Sequence, residues 1–124
     1  MLGKFSLPKN SDKYLWTRHA IDKMRYYGLS EQRVRRIMHS PSRVEDGVAP
    51  NTVAVMQPLS AKKINKNLIW KQELWVMWQW TSPARIRKKV ISAWRYPCVS
   101  ENKGQFFIPE DTLEIILNKN APLN

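Results

Sequence analysis

Hydrophobic positions in the first forty residues recur with the period of a helix, and after Ser42 the period shortens to that of a strand. In "WTRHAIDKMRYYGLS", Ala20, Ile21, Met24 and Tyr27 fall on one helical face. Thr17 stands before that face as an N-cap, since its hydroxyl can accept from an orphan N–H of the first turn. Gly28 stands where a left-handed C-terminal residue is wanted, and Leu29 can fold back on the helix. Ser30 then caps "EQRVRRIMHS", whose buried stripe is Val34, Ile37 and Met38, and Pro41 lies just past its end. The connection is short enough to make the two helices neighbours.

Beyond Ser42 the segments "SRVEDG" and "TVAVMQ" read as a hairpin around "GVAPN", where Gly47, Pro50 and Asn51 supply turn chemistry. The basic, polar "PLSAKKINKN" reads as a long loop. "ELWVMWQW" and "IRKKVISAWRY" flank "TSPA", a turn containing Pro83, and make two further antiparallel strands. Leu74, Val76, Trp78 and Trp80 point one way, and Trp75, Met77 and Gln79 the other. Both sets are largely apolar, as in a central strand covered on both faces. Last, "PEDTLEIILNKN" carries Leu113, Ile116 and Leu117 at helical spacing, with acidic residues at its start and a lysine at its end to match the dipole.

The pattern predicts an α+β domain: an N-terminal helical hairpin packed on a four-stranded antiparallel sheet, with a C-terminal helix, the helices covering one face. Its expected limits are a flexible arm over residues 1–15, the main body over 16–97, and a loop and helix over 98–124 completing the same domain.

Charge adds a partner class. Among 124 residues, 21 Lys and Arg oppose 10 Asp and Glu, a formal +11, with a pI near 10.1. That potential favours a polyanion: nucleic acid first, an acidic protein second, and not a membrane surface, because no stretch joins a basic face to a long apolar one. The lone Cys98 permits no internal disulfide and reads as a small buried residue or a bystander in a reducing compartment. No apolar run suits a signal or a membrane span, so the expected location is cytoplasmic. No ligand set for zinc or calcium and no phosphate-cradling glycine loop is present, so no cofactor or metal is expected.

Candidate chemistry then rests on histidine, basic and aromatic residues. His19 falls at the second position of the first helix, where the dipole lowers its pKa and keeps the ring neutral and able to accept a proton. Lys23 lies one turn on along the same side, followed by Tyr26 and Tyr27. A cation beside a base suits holding a phosphate while a ribose hydroxyl is deprotonated. On spacing alone, a histidine that only supports the start of the helix is the preferred reading. His39 fits as a donor to the last carbonyls of the second helix. Three basic clusters can track a phosphate backbone or form solvated surface: Arg33, Arg35 and Arg36; Lys62, Lys63 and Lys66; Arg85, Arg87, Lys88 and Lys89. The last opens a strand rich in tryptophan, and rings beside cations are what single-stranded RNA binding uses. "SAWRYP" presents Arg95 and Tyr96 at a strand end.

The stretch "TRHAIDKMRYYGLSEQRVRRIMHSPSRVEDG" resembles the start of domain of unknown function family 4258. The shared pattern is a Thr-x-His-Ala helix, a Met-Arg-x-x-Gly-[Ile/Leu]-Ser turn and an Asn/Ser-Pro-x-x-Val step. Thr17, His19, Ala20, Met24, Arg25, Gly28, Leu29, Ser30, Pro41 and Val44 carry it here. "KKVISAWRYP" is similar to that family's last strand, ending in Tyr96 and Pro97. The resemblance spans about residues 16 to 97 and implies a fold similar to RelE-like toxin ribonucleases, in the wider grouping with barnase. It maps the family's helix-1 histidine onto His19 and its strand-end basic residue onto Arg95. Lys23 departs from it, standing where many relatives have arginine, and the 58–72 segment is longer than usual.

The implied activity is a metal-independent endoribonuclease acting on RNA, with the ribosome as one context for that RNA and an acidic antitoxin or another protein as partner. His19 would serve as general base or acid, Lys23 and Arg95 would stabilise charge on the scissile phosphate, and Tyr96 would position it. Arg33, Arg36, Lys62, Lys63, Arg85, Arg87, Lys88 and Lys89 would bind the strand. The other reading is a non-catalytic RNA- or protein-binding module of the same fold.

Overall fold

The computed structural model describes residues 4–81 and 84–118. Aromatic and β-branched residues alternate through the long central strands, and these assemble a five-stranded mixed sheet rather than a four-stranded antiparallel one. In chain order the elements are β1 (Tyr14–Trp16), α1 (Arg18–Tyr27), α2 (Glu31–His39), β2 (Arg43–Asp46), β3 (Thr52–Leu59), β4 (Lys62–Ile64), β5 (Asn67–Ile69), β6 (Gln72–Trp80), β7 (Lys88–Tyr96) and α3 (Glu110–Leu117). The main sheet has the order β1-β7-β6-β3-β2, and β4 and β5 form a separate two-stranded sheet.

The added edge strand is β1, which runs parallel to β7 with Tyr14 opposite Lys88 and Trp16 opposite Val90. It grows out of the stretch the sequence assigns to an arm. The Ser11 hydroxyl accepts from the Tyr14 N–H, Asn10 Oδ1 accepts from the Trp16 N–H at 2.9 Å, and the Arg87 guanidinium donates to the Ser11 carbonyl. Phe5, further back, packs on the core.

The helices are also not a hairpin packed as a unit on the sheet. α1 lies against β7 and α2 against β3 and β6, each finding its apolar partner on the sheet. Thr17 caps α1 through a 3.0 Å bond from the Ala20 N–H, and Ser30 caps α2 through Arg33. Gly28 has φ +70°, the left-handed conformation that ends α1, and its neighbour Leu29 donates its N–H to the Met24 carbonyl and is buried.

Ala20, Met24, Val34, Ile37 and Met38 meet Val55, Leu74, Val76, Trp78, Val90 and Ala93 in one core. The expected covering of a single face is corrected by α3. Its Ile116 and Leu113 pack on the opposite face, with Ala54, Met56, Trp75, Met77, Ile91 and Trp94. β6 is thus central, buried on both sides. A bulge at Met77/Trp78 leaves Ile91 without a partner across the ladder.

Between β7 and α3 a strap over residues 97–109 is tied down by buried carboxylates. Glu45 accepts from Arg43 Nε and from the Gly104 N–H, and Arg43 donates to the carbonyls of Glu101 and Asn102. Phe106 stacks on Trp75 at 4.8 Å between centroids. Cys98, on the strap, is exposed rather than buried. The expected turn at "TSPA" includes residues 82 and 83, and the expected lysine at the end of the last helix is residue 119; all three lie outside the described residues.

Candidate functional site

Thr17 is buried where α1 leaves the sheet. Its hydroxyl oxygen accepts from Ala20, and its proton is shared by the carbonyls of Val90 and Ile91 at 3.0 and 3.1 Å. This seats the first turn of α1 beside β7 where β1 ends, and carries His19 across to α3. There His19 Nε2 lies 3.0 Å from Thr112 Oγ1, which lies 2.8 Å from Ser92 Oγ. Thr112 and Ser92 are fully buried. A neutral ring completes this chain in either tautomer.

Burial lowers the His19 pKa from its ordinary 6.5; Lys23 acts in the same direction, and Asp111 and Asp22 oppose it. The folded chain therefore holds fewer protons at this ring than the unfolded chain. Its stability is unaffected above pH 6.5 and falls as pH drops through the unfolded and then the shifted folded value. The expected result is that the melting temperature of the wild type falls from pH 7 to pH 5 more than that of His19→Gln. Parallel thermal scans of the two proteins check this.

Lys23 comes to the same α1–α3 contact. Its Nζ is 3.2 and 3.1 Å from the two oxygens of Asp111, and 5.3 Å from the Tyr27 ring centroid. His19 and Lys23 are thus brought together, each already holding a partner from α3. Arg95 and Tyr96 do not join them as a set. Neighbours on a strand face opposite ways, and Arg95 turns towards α1, with its guanidinium 3.5 Å from the Tyr27 carbonyl. Tyr96 turns to the other face and stacks on Phe107 at 5.5 Å.

The basic clusters divide by what they touch. Arg35 pairs with Glu31 and lies over the Tyr14 ring, while Arg33 and Arg36 sit on α2. Arg87 holds the Ser11 carbonyl, and Lys88 Nζ lies 4.6 Å from the Trp78 ring centroid. Lys89 is half-buried in β7, opposite Leu15 and Gln79. Arg85 is exposed, with φ +55°. His39 is exposed; the last carbonyls of α2 are served instead by Gln57 Nε2, which donates to Arg36 and Ser40.

The cluster of Lys62, Lys63 and Lys66 differs. The segment read as a long loop is an antiparallel hairpin, with Lys62 opposite Ile69 and Lys63 opposite Leu68. Asn65 and Lys66, at φ +50° and +69°, make its two-residue turn, a conformation that matches the twist of the strands. Every residue of both strands is exposed. The three ion pairs among the described residues take Lys23, Arg35 and Arg43 and leave Lys62, Lys63, Lys66 and Lys71 without a carboxylate.

Beside the hairpin lies a groove of about 560 Å³, lined in part by Lys62, Ile64, Ile69, Trp70 and Lys71. Trp70 and Lys71 were not among the sequence candidates. The alternation of apolar and basic residues in "KKINKNLIWK" is the signal that could have found them. Among the described residues no three His, Cys, Asp or Glu side chains gather as a metal site, and no helix is long and apolar enough to cross a membrane.

No family model, curated protein or solved structure matches this chain at a significant level.

Proposed function

We propose that this protein is an RNA-binding module that grips single-stranded RNA through the β4–β5 hairpin. The observation that carries the reading is the set of four lysines, Lys62, Lys63, Lys66 and Lys71, on one exposed element and its flank, with no carboxylate among the described residues to neutralise them. A polyanion supplies the missing charge and releases its own counterions on binding. The exposed Ile64, Leu68 and Ile69 between those lysines give apolar contacts that simple solubility does not require. The cytoplasm is the compartment that goes with such a ligand.

The second reading, a metal-independent endoribonuclease of the RelE-like kind with an acidic antitoxin, is favoured by one observation. His19, whose pKa is lowered by burial, stands one turn from Lys23. In that reading Thr112 and Asp111 must release the two side chains before they can act on a ribose hydroxyl and a phosphate.

The test is incubation of labelled single-stranded RNA with wild type and His19→Ala in EDTA, read for both binding and product. Binding by both proteins with intact RNA is the expected result. Cleavage that survives the chelator and disappears in His19→Ala establishes the ribonuclease instead, because general acid–base help is worth about 10²- to 10⁴-fold.

A further inference from the structure

We propose that the groove beside the β4–β5 hairpin takes one unstacked base of single-stranded RNA, with Trp70 as its stacking surface and Lys62 and Lys71 on the adjoining phosphates. The proposal rests on the RNA-binding reading above and names the part of the strand that the groove holds.

Trp70 is half-buried, and its indole N–H donates to Glu73 Oε2 at 2.9 Å. Glu73 is fully buried and held by further donors, so the ring is fixed from below while its remaining surface lines the groove. A ring held in place binds a base without first losing rotamer freedom. Ile64 and Ile69, 52% and 47% exposed, supply apolar walls, which water covers in the free protein. Lys62 and Lys71 stand at the same groove, and neither has an ion-pair partner among the described residues.

The groove's volume of about 560 Å³ lies within the range of small-ligand sites and has room for one nucleotide. An aromatic face between apolar walls with cations at the rim is the arrangement by which single strands are held. Each base stacks on a ring, and the cations follow the backbone. An acidic peptide would use the cations but gain little from the fixed indole face. Because every base has a π-face, the groove tolerates any sequence and prefers RNA that is already unpaired.

The test measures binding of fluorescein-labelled decauridylate, an abasic ribose-phosphate decamer of the same charge, and decaglutamate as competitor. The proteins are wild type, Trp70→Leu, Trp70→Phe and the double variant Lys62→Ala/Lys71→Ala. Trp70→Leu is expected to weaken decauridylate binding about 5- to 150-fold, the range for one base–aromatic stack, and to leave the abasic decamer unchanged. Trp70→Phe, which keeps a stacking face but loses the N–H that fixes it to Glu73, is expected to fall between wild type and Trp70→Leu. The lysine double variant is expected to weaken both decamers equally.

Should Trp70→Leu fail to fold, photocrosslinking of 4-thiouridine-substituted decauridylate to wild type decides. Adducts on the peptide holding Trp70 support the proposal, and adducts only elsewhere overturn it. Decauridylate binding that is indifferent to a folded Trp70→Leu overturns the groove's role while leaving RNA binding standing. Displacement by decaglutamate with the same dependence on Trp70 overturns it in favour of an acidic peptide. No binding of any RNA by wild type overturns both this proposal and the reading beneath it.

Discussion

Glu73→Ala is expected to destabilise the fold by about 3–4 kcal/mol. Glu73 lies fully buried in β6 and accepts from four donors: Trp70 Nε1 at 2.9 Å, Trp75 Nε1 at 3.0 Å, the Ser100 N–H at 3.1 Å and the Ser100 hydroxyl. Removing the carboxylate strands the fully buried Trp75 indole N–H, takes the partner from the half-buried Trp70 and releases the strap at Ser100. Each buried donor left without a partner costs about 1–3 kcal/mol. Chemical denaturation of the two proteins checks the magnitude.

The same residue sets an acid limb. Burial alone would raise its pKa, but the bonds from Ser100, Trp70 and Trp75 outweigh that and leave it below the ordinary carboxylate value. A depressed carboxylate contributes stability that is present above the unfolded pKa and lost as pH falls through the folded one. Wild type should therefore lose stability steadily as the solution is acidified below the ordinary glutamate pKa, and Glu73→Gln should show a flatter limb over that range.

The second large effect concerns the ligand. Replacing Lys62, Lys63, Lys66 and Lys71 together by alanine is expected to weaken single-stranded RNA binding about 100-fold at physiological salt. The hairpin, with Lys71 on its flank, is solvent-exposed along both strands, so the charge can be removed without opening the core. Replacing Arg87 and Lys88 in the same way should not have that selectivity. Those side chains hold the Ser11 carbonyl and the Trp78 and Trp80 rings, and their loss reads out as stability.

Local signals were legible in the helix caps, the helix end at Gly28 and the central strand. Thr17 and Ser30 cap their helices three residues on, Gly28 takes the left-handed conformation its position demands, and Leu74 to Trp80 alternate between two cores. Much of what was not legible depends on distant partners. β1 is three residues long and is ordered by β7, over seventy positions later, which no local period reports. The periodicity of α3 shows that it has a buried face but not which layer it meets, and that layer is the one opposite α1 and α2.

The β4–β5 hairpin was missed because its turn is Asn65-Lys66 rather than Asn-Gly. A lysine at positive φ gives no composition cue. Glu73 illustrates the same limit in the core: its place opposite Tyr96 follows from strand pairing, but its main anchor, Ser100, lies on a strap without regular structure.

For the candidate site the division is sharper. The pairing of His19 with Lys23 follows from helical spacing and is found, yet nothing in the spacing foretells that Thr112 and Asp111 would occupy both. The separation of Arg95 from Tyr96 was there to be read, because consecutive strand residues face opposite ways.

The most direct test of the account is a salt titration of single-stranded RNA binding by wild type and by the variant lacking the four hairpin lysines. If all four meet phosphates, the log–log slope for the variant is shallower than that of wild type by about 3. Equal slopes for the two proteins would contradict the account, since the hairpin would then carry none of the RNA contact.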